Sequence, residues 1–196
     1  MHNLQRPIPQ QRVLQAVLIL ATLSCSWFGM QAVHEAGHVV AAWLTGGRVV
    51  KVVLHPLSIS RTDVAPNPAP SVVVWGGPLC GVLFPLAAWK LAARLRTAGA
   101  FVFRFFAGFC LIANGGYIAF GSLDQIGDSG EMLRHGSPLW LLWLFGIVTM
   151  PMGFWLWHRQ GAHFGFGPGH EPISPRVTAA TLAASVLLFT LGSIFG

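Results

Sequence analysis

His34-Glu35-Ala36-Gly37-His38 sets two imidazoles four residues apart and a carboxylate directly after the first. On a helix, residues four apart lie on one face, a turn from each other, so His34 and His38 can reach one ion together. Glu35 then stands beside that ion rather than on it, where it can take a proton from water. Such a set suits zinc, which brings the pKa of water to about 7 and polarises a carbonyl, as the hydrolysis of a peptide bond requires.

Catalytic zinc takes three protein ligands and keeps one position open. The chain has 6 acidic residues, so besides Glu35 the candidates are Asp63, Asp124, Asp128, Glu131 and Glu171. Asp124, Asp128 and Glu131 cluster in one short stretch, where Gly127, Ser129 and Gly130 suit a helix break that returns a carboxylate towards the histidines. Asp128 is the preferred third ligand and Asp124 the alternative, unless both simply cap helix ends at an interface. His55, His135, His158, His163 and His170 fall in connectors or at interfaces and read as ordinary solvated side chains. His170-Glu171 is a possible extra metal contact without helical spacing to support it. Asn114 falls mid-span in a later apolar run; its carboxamide could assist an oxyanion, although hydrogen bonding between helices is the commoner role.

The elements that hold these residues must sit in lipid. The chain is 54% hydrophobic and 9% charged over 196 residues, against about 25% charged in an ordinary soluble domain. Five apolar runs cover about 13–44, 71–89, 101–123, 139–157 and 175–195. A bilayer core of about 30 Å takes roughly 20 helical residues. The fold expected is an all-α polytopic membrane protein of about five to six transmembrane helices. The first run would be roughly 48 Å long if continuous, so it is a tilted helix or one that starts outside the membrane, with Gly29 as a possible kink. Ionisable side chains inside such a run are expensive and are kept mainly for function or pairing, which favours metal binding at His34 and His38.

Thr45-Gly46-Gly47 reads as a helix stop. The stretch 48–60 is rich in Val, Ile and Leu with some alternation, which suggests one or two short strands, a hairpin-like insert. Pro66, Pro68 and Pro70 close it as a connector, and 161–175 reads as an irregular loop. One integral membrane domain over 1–196 accounts for the whole sequence, with the motifs in a core of about 31–133 and further helices at about 139–157 and 175–195. The N-terminal run carries straight into the histidine motif and does not read as a cleaved signal peptide. Cys25, Cys80 and Cys110 lie in apolar runs and read as small buried hydrophobes.

The net charge of +6 comes from Lys and Arg at the ends of the apolar runs. That distribution is membrane topology rather than a nucleic-acid face, so the expected surroundings are a lipid bilayer and no nucleic acid. With the first run as a single span, the basic residues divide eight against four, which puts the N-terminus in the cytoplasm.

In three places the chain resembles the site-2 protease family of intramembrane zinc metalloproteases. His34 to Gly47 is similar to that family's HExGH helix and small-residue stop, Gly76-Gly77-Pro78 to its Gly-Pro segment, and Asp128-Ser129-Gly130 to the Asp-Gly element that supplies a third zinc ligand. Two departures mark the chain as divergent: Ser129 splits the Asp-Gly pair, and no Pro stands between Asn114 and Asp128. The resemblance implies Zn²⁺ on His34, His38 and Asp128, with Glu35 as general base, and a membrane protein or peptide as substrate. It also implies a strand edge after the first helix that can receive an unwound substrate. The departures suggest a minimal branch that resembles the compact bacterial members, which implies a bacterial plasma membrane. The family commonly turns the C-terminal end of the HExGH helix to the cytoplasm, opposite to the Lys and Arg count. Other classes that would use such ligands are a metal transporter and a non-catalytic zinc-binding membrane scaffold.

Overall fold

The computed structural model describes residues 8–55, 60–167, 170 and 172–194. Helix α1 (Ile8–Leu44) is followed by strands β1 (Val49–Val53) and β2 (Arg61–Val64). Helices α2 (Pro70–Arg94), α3 (Ala100–Asp124), the short α4 (Gly127–Arg134), α5 (Leu139–Trp157) and α6 (Pro175–Ile194) complete the chain, with a 3₁₀ turn at Gly161–Phe164. Five of these helices, all but α4, are long and apolar enough to cross a membrane. The molecule is therefore an all-α polytopic membrane protein with a two-stranded insert after its first helix.

The outer surface bears this out. Leu20, Trp43, Ile147 and Trp155 are each about two-thirds exposed, a pattern that only a lipid solvent makes inexpensive on this scale. Five hydroxyl groups inside the helices are satisfied locally. Thr149, Thr178, Thr181, Thr190 and Ser193 each donate to the carbonyl four residues earlier, which leaves no hydroxyl facing lipid unpaired at those positions.

Helix α1 has 37 residues, about 55 Å at 1.5 Å per residue, so it must tilt or overshoot a core of about 30 Å. It runs unbroken through Gly29. A Cβ at Gly29 would stand 3.1 Å from the Phe106 ring, so this glycine admits a neighbouring helix rather than a kink. Helix α1 packs on α2, α3 and α6, while α3 packs on α5.

β1 and β2 pair antiparallel, with Val52 opposite Thr62 and a bulge between Val49 and Lys51. The strand expected over 48–60 is thus one half of the hairpin, and its partner lies just beyond. Val49 and Val64 pack on Ala41, Ala42 and Val73, which fixes the hairpin to the C-terminal end of α1. The helix break after α3 falls at Gln125 and Gly127, both with positive φ of 53° and 54°. Ser129 and Gly130, read as part of the break, lie inside α4 instead.

Candidate metal centre

Helix α1 brings His34 and His38 to one face, both buried, with their ring centroids 4.9 Å apart. Each ring is oriented through Nδ1. His34 Nδ1–H donates to Asn114 Oδ1 at 2.7 Å, and His38 Nδ1–H donates to the Val73 carbonyl at 2.8 Å. Those bonds select the tautomer whose Nε2 carries a lone pair, the form a metal ligand needs.

Asp128 arrives from the other side. The turn at Gln125–Gly127 starts α4, and Asp128 N–H donates to Tyr117 Oη at 3.1 Å, which ties the start of α4 to α3. Asp128 Oδ2 then stands 2.7 Å from His34 Nε2 and 3.4 Å from His38 Nε2, and the two Nε2 atoms are 3.1 Å apart. Three lone-pair-bearing atoms at these separations repel unless a cation or shared protons lie between them. Tetrahedral zinc, with bonds of about 2.0–2.1 Å, separates its ligand atoms by roughly 3.3 Å, so the donor set and its spacing fit that ion. Burial alone would push the Asp128 carboxyl up. With protons on the two Nε2 atoms in place of an ion, hydrogen bonds and opposite charge from His34 and His38 outweigh it and hold the carboxyl well below the usual carboxylate range.

The other carboxylates are elsewhere. Asp124 is exposed at the last position of α3. Asp63 is exposed beside Arg61, and Glu131 pairs with Arg134 and His135. Among the described residues His34, His38 and Asp128 are the one group able to share an ion. His158, His163 and His170 lie exposed and outside that group, His163 stacked on Phe101 and His170 donating from Nδ1 to the Gly167 carbonyl. His135 is exposed at the cavity rim. His55 is partly buried after β1 and outside that group. Glu171 lies outside the described residues.

Glu35 is buried next to this cluster, and its Oε2 accepts a hydrogen bond from Thr62 Oγ1 at 2.7 Å. Thr62 was not legible as a site residue; its only sequence signal was a polar side chain in an otherwise β-forming stretch. Asn114 was legible as polar and mid-span, and it does make the hydrogen bond between helices that is the commoner role, here from α3 to α1. Its Oδ1 receives His34 and its Nδ2 donates to the Cys110 carbonyl at 2.9 Å, so the carboxamide orients a ligand.

The glycines of both motifs make room. A Cβ at Gly37 would strike the Gly76 carbonyl, and one at Gly77 would strike the His38 imidazole. A Cβ at Gly81 would lie 2.8 Å from the Asn114 carboxamide. Small residues on α2 thus let α1 approach backbone to backbone and leave space for the ligands. The centre opens into a cavity of about 1120 Å³ lined by α1, β2, the start of α2, α3 and α4.

Comparison with known proteins gives a family match. The sequence pattern of the family described as Peptidase M50B-like matches residues 13–115, just over half of the chain. No curated protein and no solved structure matches the chain.

Proposed function

The chain belongs to the Peptidase M50B-like family, within the site-2 protease group, and from that premise we propose that it is a zinc-dependent intramembrane endopeptidase. The observation that carries this reading is the convergence of His34 Nε2, His38 Nε2 and Asp128 Oδ2 beside the buried Glu35 carboxylate. His34, His38 and Asp128 would hold the ion. Zinc, when bound, supplies the Lewis acidity that makes water a nucleophile near neutral pH.

Glu35 takes one proton from the attacking water as its oxygen bonds to the scissile carbonyl carbon. It returns that proton to the amide nitrogen as the C–N bond breaks, and the second proton of the added water also passes to the released amine, so the products are a carboxylate and an ammonium group. The Thr62 hydroxyl holds one oxygen of Glu35, a residue that lines the cavity. Asn114 and the Val73 carbonyl hold the imidazoles in the tautomer and orientation that ligation requires. The hairpin that carries Thr62 lies over the same cavity, which supports an extended, unwound peptide pairing along its edge. The substrate is then a membrane protein or peptide.

The resemblance of its motifs to compact bacterial members supports a bacterial plasma membrane as its setting. A transporter would need ligands along a path, yet α2, α5 and α6 contain no histidine or carboxylate. The test pairs metal content with turnover. Purified wild type and Asp124→Ala are expected to hold one zinc per chain and Asp128→Ala none, and Glu35→Gln to keep zinc while a panel of membrane peptides goes uncut. Equal cleavage by Glu35→Gln would overturn the mechanism. Zinc retained in Asp128→Ala but lost in Asp124→Ala would overturn the ligand set.

A further inference from the structure

The polar side chains of the cavity differ in what they have left to offer a substrate. Both imidazoles are engaged through both ring nitrogens, and Asn114 is engaged through Oδ1 and Nδ2. Thr62 donates to Glu35. Gln31 is different. It is 7% exposed, lines the cavity, and makes no hydrogen bond among the described residues. Its polar atoms are not sealed in as Thr22 Oγ1 is, so the carboxamide borders the cavity space.

A glutamine held that way inside a membrane helix is expensive unless something meets it. Its position says what. Gln31 precedes His34 by three residues and Glu35 by four on the continuous α1, so it lies beside them one turn towards the helix N-terminus, about 5–6 Å away between Cβ atoms. A carboxamide offers one acceptor and two donors, which match the N–H and C=O of a peptide unit. A substrate helix that unwinds at the site exposes such units where little water can satisfy them.

We propose that Gln31 is a substrate-binding residue that hydrogen-bonds the main chain of the peptide next to the bond under attack. It recognises backbone and not side chain, so it tolerates many sequences but requires an unwound segment. The proposal rests on the peptidase reading given above, and it is tested without turnover.

The probe is a fluorescent Leu/Ala transmembrane peptide with a central Gly-Pro break, and the measurement is its dissociation constant in nanodiscs. The background is zinc-loaded Glu35→Gln protein, which is silent in the proposed mechanism. Adding Gln31→Met keeps length and helix propensity but removes both hydrogen-bonding functions. It is expected to weaken binding about three- to tenfold, the range of one or two ordinary hydrogen bonds. An unbroken Leu/Ala peptide is expected to show no difference between the two proteins. Equal affinity for the broken peptide with and without Gln31, or no binding to the Glu35→Gln parent, would overturn the assignment. Zinc content of the Gln31→Met protein separates the cases. Retained metal with weaker binding marks a substrate contact, while lost metal means the residue supports the ligands instead and the proposal fails. Cleavage by wild type, measured separately, tests the peptidase reading alone.

Discussion

Single side chains in this molecule act through a partner distant in sequence. Asn114 meets His34 across 80 positions, which is why its polarity was legible and its duty was not. A carboxamide at mid-span can bridge helices, aid an oxyanion or hold a ligand, and only the packing of α3 on α1 selects among these. The contact makes Asn114→Leu a test of orientation. Loss of a partner of this kind lowers metal affinity about 10–100-fold, and chelator competition should show that fall. Asn114→Asp keeps an acceptor for His34 Nδ1–H and should retain most of the affinity. Thr62 calls for a different readout, because it touches the base and not the metal. Thr62→Val should leave zinc affinity unchanged and lower kcat on a cleaved membrane peptide about three- to tenfold, the scale of one hydrogen bond. Thr62→Ser should restore it. Unchanged kcat in Thr62→Val would mean that Glu35 finds its place without the hairpin.

Helices and strands divide into those that composition reveals and those that the site defines. The five long helices follow from apolar length, and their ends lie within a few residues of the runs, since a bilayer imposes a length on any span. Helix α4 was hidden, because Gly-Asp-Ser-Gly has low helix propensity and forms a helix only through packing of its buried Met132 with Ile118 and Leu142. The hairpin was half legible for a similar reason: Arg61–Val64 carries two charged residues, and its strand character comes from pairing with β1. The approach of α1 to α2 was legible as glycines but not as geometry. Gly37 of the histidine motif and Gly76 meet backbone to backbone. Gly37→Ala should force the helices apart at the ligands, with loss of zinc and a destabilisation of about 1–3 kcal/mol from overpacking. Gly116 is the control. A Cβ there has its nearest neighbour at 3.8 Å, so Gly116→Ala should be neutral or stabilise the helix by up to about 1 kcal/mol. Thermal unfolding in detergent micelles distinguishes the two variants, and equal melting temperatures would show that the α1–α2 approach is not close-packed.

For the molecule as a whole, the proposed ion would act as a cross-link. It would join α1 to α4 through His34, His38 and Asp128, and so tie the start of the chain to the α3–α4 turn across the cavity that otherwise separates them. Ligation by the folded state alone stabilises it by about 2.7 kcal/mol when free zinc is 100 times the dissociation constant. Chelation should therefore lower the melting temperature of wild type, and should not change that of Asp128→Asn, which lacks a ligand. The metal-free protein has its own pH signature. A carboxyl held below its ordinary range stabilises the fold at any pH above the unfolded value of about 3.9, and that contribution disappears as pH falls through the lower folded value. The stability difference between metal-free wild type and metal-free Asp128→Asn should then shrink as pH falls below about 4. A difference that instead grew in acid would mean that Asp128 is protonated in the native state, with no charge to offer His34, His38 or an ion. Scanning both proteins with and without chelator separates the two contributions, because the ion's effect depends on zinc concentration and the carboxylate's does not.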